Sequence, residues 1–161
     1  MTPQLEKAFG YRGDAMNLPV GDLGAALPFY QDVLGFRVVS RGETPHARAV
    51  LTRDEVQIGL AENGGDPEQD GCAFHVRNLP ALLEEFRTRG LPNAPDDLIS
   101  EVRDGSQWHV FFVVAPDGLC YWFGERQGSQ TPISPDRTSS ESACREYPTD
   151  TPARSGCEPL A

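Results

Sequence analysis

Alternating apolar and polar positions predict strands over 14–20, 36–42, 47–53 and 55–61, and again over 71–77, 98–103, 108–114 and 119–125. Between them the period lengthens. Leu23, Ala26, Leu27, Tyr30 and Leu34 share one face of a helix over 23–34, and Leu79, Leu82, Leu83 and Phe86 share one face of a helix over 79–89. Asp22 precedes the first helix as an N-cap, and Asn78 followed by Pro80 suits the start of the second. Gly35 and Gly90 close the two helices, as left-handed C-terminal caps do. Pro28 lies inside the first helix, where it removes a backbone donor and should disturb regular winding. Ala115-Pro116-Asp117-Gly118 fits a tight turn between the last two strands.

The order strand, helix, three strands occurs twice. A shift of 56 residues lays Val20 on Val76, Asp22 on Asn78 and Leu23 on Leu79. The predicted fold is α+β, two βαβββ repeats (14–61 and 71–125) forming a curved eight-stranded sheet around a cleft. Residues 1–13 read as an N-terminal lead and 14–126 as the domain. Residues 127–161 are rich in Ser and Pro and lack a periodic apolar face, so they read as a disordered tail.

Charge narrows the function. Fourteen Lys and Arg face 24 Asp and Glu, a net of −10. No window concentrates cations with aromatics, which argues against a nucleic-acid partner. The longest apolar run, 110–115, is far below the ~20 residues of a membrane span, and the first residues carry no apolar signal core. Cys72, Cys120, Cys144 and Cys157 form no C-x-x-C pair. They read as reduced thiols of a cytoplasmic protein.

Leu18-Pro19-Val20-Gly21-Asp22-Leu23, followed by Phe29-Tyr30-Gln31-Asp32-Val33-Leu34-Gly35-Phe36, resembles the opening of the vicinal oxygen chelate superfamily. That group includes glyoxalase I, fosfomycin-resistance proteins, extradiol dioxygenases and bleomycin-binding resistance proteins. Phe74-His75-Val76-Arg77-Asn78-Leu79 is similar to its mid-domain strand and helix, and Pro116-Asp117-Gly118 to its last hairpin. The resemblance implies a homodimer, with the cleft near the partner subunit. It also implies, in the enzymes, a divalent metal held by His and Glu or Gln from four strands. The matching positions here are Ala15, Gly59, Gly71 and Trp122, none of which carries a carboxylate or imidazole. No metal and no cofactor are therefore expected.

The same substitutions suggest a ligand site. Gly59, Gly71 and Ala15 would empty the cleft, and Trp122 would line it with an indole suited to an aromatic or cationic molecule. Trp108 lies in the adjacent strand, and His75 shares the parity of Gly71. The candidate ligand-contacting set is Trp122, Trp108, His75, Gly59, Gly71, Asn17 and Cys120, with His75 also a candidate acid or base. Two readings of Trp122 stay open: the wall of a pocket, or a plug filling the cleft. The expected function is metal-independent binding of a small organic molecule, as in bleomycin resistance. The alternative is an enzyme of the superfamily, an isomerase, lyase or cyclase with a relocated site.

Overall fold

Both repeats form. A computed structural model describes residues 2–128 of the chain. The first repeat comprises β2 (Leu18–Pro19), α1 (Leu23–Pro28), β3 (Arg37–Gly42), β4 (Arg48–Arg53) and β5 (Val56–Ala61). The second comprises β6 (Gly71–Arg77), α2 (Leu79–Thr88), β7 (Ile99–Arg103), β8 (Ser106–Val114) and β9 (Cys120–Arg126). The first strand of each repeat pairs parallel with the last, giving the orders β2-β5-β4-β3 and β6-β9-β8-β7. The fold is α+β, with curved sheets and helices covering one face. The tail predicted over 127–161 lies outside the described residues from position 129 on.

Three elements differ from the sequence expectation. A strand the pattern did not reveal, β1 (Gln4–Gly10), pairs antiparallel with β6 and widens the second sheet to five strands. The strand expected over 14–20 shrinks to Leu18–Pro19, because Gly13 at φ +92° and the Asp14 carboxylate, which accepts the Met16 N–H at 2.9 Å, turn the chain before it. The first helix is regular only to Pro28; Phe29–Val33 follow as a π-helical turn closed by the Leu34 N–H donating to the Phe29 carbonyl at 3.1 Å. Proline has no N–H for the regular ladder, which accounts for the change of winding at this point.

Capping is met differently in the two helices. The Asp22 carboxylate accepts from the Ala25 N–H at 3.1 Å, as expected. Asn78 adopts a left-handed conformation and makes no side-chain cap. Its place is taken by Glu125 of β9, which accepts from the backbone N–H groups of Asn78 and Leu79. Anionic oxygens suit these unpaired donors and the positive end of the helix. Gly35 and Gly90 take φ +75° and +94° just beyond the two helical segments, as their positions predicted.

The core lies between the helices and both sheets. Leu27, Tyr30, Leu79, Leu83 and Phe86 meet Leu51, Ile58, Phe74, Phe111 and Phe123, all buried. Phe123 stacks on Phe74 at 5.0 Å and on Phe111 at 5.2 Å, while Phe86 meets its edge at 5.3 Å. Two contacts tie the repeats together inside this core. The Tyr30 and Tyr121 hydroxyls share a hydrogen bond of 2.6 Å, and burial pushes both phenols well above their ordinary pKa, so both stay neutral. Arg53 of β4 pairs with Glu85 of α2 at 2.9 Å and donates to the Leu34 carbonyl at 2.7 Å.

Candidate functional site

Strand alternation sends Tyr121 and Phe123 of β9 to the helix side and Trp122 to the other. There a second, smaller cluster forms from Trp108, Val110 and Trp122, with Tyr11, Ala73 and Phe112 packed against it. Register explains the grouping. Trp122 pairs with Ala73 of β6 and Phe112 of β8, and Gly124 pairs with His75 and Val110. The His75 ring sits 4.8 Å from Trp108 and 6.1 Å from Trp122, and the two indoles are 5.6 Å apart. Phe9 of β1, 48% exposed, lies 4.9 Å from His75. Of the expected site residues, the structure brings Trp122, Trp108 and His75 together.

Trp122 is 2% exposed, so its indole is not the open wall that the pocket reading required. Gly124 gives the ring its bed: a Cβ built there would fall 2.2 Å from the indole edge. The Arg103 guanidinium lies 4.4 Å from the ring centre, and the indole N–H approaches a Glu101 carboxylate oxygen at 3.4 Å. Trp108 is also buried, yet its indole N–H finds no acceptor among the described residues. A buried donor left unpaired costs about 1–3 kcal/mol.

His75 is half-buried. Burial chiefly lowers its pKa, helped by the positive charges of Lys7 and Arg103, against a smaller opposing effect of Glu6. The ring is therefore neutral at pH 7, with one ring nitrogen a donor and the other an acceptor. The sign of the linkage follows. A histidine whose folded pKa is depressed favours folding above its unfolded value of about 6.5, and that contribution is lost as pH falls through the folded pKa. Urea unfolding between pH 7.5 and 5 should show a fall in stability that is smaller in His75→Gln; equal falls in both proteins would remove His75 as its source.

Of the remaining expected residues, Gly71 reaches this face, beneath the Tyr11 ring and paired with Cys120, while Gly59 and Asn17 lie in the first repeat. Gly59 and Gly71 do not open a cleft, which corrects that expectation. A Cβ at Gly59 would meet the Met16 carbonyl oxygen at 2.2 Å, and one at Gly71 would meet the Cys120 carbonyl oxygen at 1.9 Å and the Tyr11 ring at 2.5 Å. Both glycines permit close backbone approach, with the Gly59 N–H donating to the Ala15 carbonyl at 2.9 Å. Asn17 is exposed, and its carbonyl and side-chain oxygens accept from Asn63 at 3.0 and 3.1 Å. Cys120 is fully buried. Cys72 is a free thiol whose pKa burial pushes up to about 12, which makes it unreactive. Cys144 and Cys157 lie outside the described residues.

Sequence reasoning missed Phe9, Tyr11 and Arg103. Phe9 and Tyr11 flank Gly10 at strand spacing, a signal that was available; Arg103 joins only through the β7–β8 hairpin. The positions that the resemblance assigns to metal ligands carry Ala15, Gly59, Gly71 and Trp122, and no three His, Cys, Asp or Glu side chains gather among the described residues.

Paired βαβββ repeats with one aromatic sheet face define a class of proteins in which the same scaffold serves different sites. Residues 12–118 match the Glyoxalase/Bleomycin resistance protein/Dioxygenase superfamily, and the chain belongs to it. It is 31% identical over 127 residues to a lactoylglutathione lyase of Haemophilus influenzae, covering 71% of this chain and 92% of that protein. Among solved structures it resembles a superfamily member from Alicyclobacillus acidocaldarius (TM-score 0.57, 19% identity, 70% of this chain and 89% of the other). It also resembles the bleomycin-binding protein of Streptomyces verticillus, solved with copper(II)-bleomycin (TM-score 0.51, 22% identity, 67% and 90%). At these identities the structural likeness shows the fold. No helix among the described residues is long and apolar enough to cross a membrane.

Proposed function

We propose that this chain binds a small organic molecule, without a metal ion, on the face formed by Phe9, His75 and Trp108 over the buried Trp122. The observation that carries this reading is the buried Trp108 N–H without an acceptor, set beside a half-buried neutral histidine and an exposed phenylalanine. A planar ligand would stack on Phe9 and His75 and offer an oxygen or nitrogen to the indole. Lys7 and Arg103 near His75 favour an aromatic acceptor-bearing ligand over a cationic one, although the net charge of the chain is −10. The likeness to a bleomycin-binding protein supports sequestration of such a compound. In this reading the protein is a cytoplasmic homodimer with no nucleic-acid or membrane partner.

Titration with a panel of planar aromatic antibiotics, followed by calorimetry and tryptophan fluorescence, tests the proposal. Saturable quenching is expected with at least one compound, and Trp108→Phe should weaken it about tenfold with little change in Tm. Protein purified without chelator should hold well under one Zn, Mn, Ni or Fe per chain. Silence across the panel, or a stoichiometric metal held by side chains of this face, would end the reading.

The neutral imidazole of His75 and the likeness to a lactoylglutathione lyase favour a second reading, a superfamily enzyme with His75 as acid or base. Turnover of lactoylglutathione that disappears in His75→Gln would replace the binding proposal with this one.

A further inference from the structure

A cavity of about 380 Å³ opens on the helix side of the molecule, lined by Arg37, Thr52, Arg53, Asp54, Glu85 and Arg89, with Gly35 at its margin. It lies where the start of β3 and the end of β4 meet the second half of α2. Its volume falls in the range of small-molecule sites. Three guanidinium groups face two carboxylates, an excess of positive charge in a chain that is strongly negative overall.

The three arginines are not equivalent. Arg53 is fully committed: Nε donates to Asp54 at 3.3 Å, Nη1 to the Leu34 carbonyl at 2.7 Å and Nη2 to Glu85 at 2.9 Å. It is 9% exposed and serves as a fixed cationic floor. Arg89 uses Nε on the other Glu85 oxygen at 3.1 Å and Nη1 on the Asp32 carbonyl at 3.2 Å, which fixes its plane and leaves Nη2. Arg37, exposed and opposite Thr52 in the β3–β4 register, enters no hydrogen bond or ion pair among the described residues. Glu85 and Asp54 are thus taken up by Arg53 and Arg89, and the uncompensated cation is Arg37.

We propose that this cavity is a binding site for a small oxyanion, the phosphate or carboxylate group of a metabolite, gripped by Arg37 and the remaining donor of Arg89 above Arg53. Guanidinium forks match such oxygens in geometry and charge. The site lies on the helix side of the sheets, opposite the aromatic face, and stands independently of what that face binds.

The test uses the full chain labelled with ¹⁵N, titrated with inorganic phosphate and separately with citrate, at ionic strength held constant with sodium chloride. Saturable shifts of the Gly35 and Arg37 amides and the Arg89 Nε–H are expected with one or both anions, and the tighter of the two identifies the oxyanion. Arg37→Gln, an exposed change that leaves the fold intact, should weaken the binding at least tenfold. Arg41→Gln, on the same exposed strand but outside the cavity, should not alter it. No saturable shift with either anion overturns the proposal, as does equal weakening by Arg41→Gln and Arg37→Gln, which would show general attraction to surface charge.

Discussion

Trp122→Ala is expected to lower the unfolding free energy by about 3–5 kcal/mol, the ordinary cost of truncating a buried indole to alanine. The ring is 2% exposed, rests on Gly124, and meets Trp108, His75 and the Arg103 guanidinium. Removing it leaves a void on the far side of the sheet from the main core, where Val110 and Trp108 have few neighbours to collapse inward. It also strips Glu101 of its indole contact. Urea denaturation followed by far-ultraviolet circular dichroism reads the effect without depending on tryptophan emission. A loss under 1 kcal/mol would mean that the face is loosely packed and that Trp122 is available to a ligand.

Gly71→Ala should be among the most damaging methyl additions in the molecule. The new Cβ would lie 1.9 Å from the Cys120 carbonyl oxygen, and a β9 backbone atom cannot swing aside as a side-chain tip can. Relief requires β6 and β9 to part where Gly71 pairs with Cys120, at a cost of about 1–3 kcal/mol or more for overpacking. Gly59→Ala should behave alike, since the Met16 carbonyl stands 2.2 Å away. Gly21→Ala is the control, with nothing within 4 Å of its Cβ position. Thermal melts that fail to separate Gly71→Ala from Gly21→Ala would contradict the close backbone approach.

These glycines also show where sequence reading stops. The repeat was legible because period and punctuation are local: apolar alternation placed 71–77 to the residue, and Gly35 and Gly90 marked the helix ends. The identities of Ala15, Gly59, Gly71 and Trp122, at the positions the resemblance assigns to metal ligands, were readable in the same local way. Whether a glycine empties a cleft or admits a neighbouring backbone depends on what lies opposite. For Gly59 that neighbour is Met16 and for Gly71 it is Cys120, each more than 40 residues away. Trp122 posed the same problem, because its cover comes from Arg103 and its bed from Gly124. β1 escaped notice for a different reason. A bulge between Leu5 and Lys7 shifts the register, so Leu5 and Ala8 serve the core while Phe9 faces the other side, and simple alternation is lost.

That first strand has a consequence for how the chain is made. β1 is synthesised before its hydrogen-bonding partner β6, which begins at Gly71, and its other contacts, the Leu5 N–H to Asp54 at 2.9 Å and the Glu55 N–H to the Leu5 carbonyl at 3.2 Å, lie around the β4–β5 turn. At roughly 5–20 residues per second, several seconds pass between synthesis of the strand and arrival of its partner. Throughout that interval Phe9 and Leu5 sit on an unpaired edge, open to pairing with another nascent copy. This segment can therefore dock only once β6 has been made, and it then links the β4–β5 turn of the first repeat to the sheet of the second.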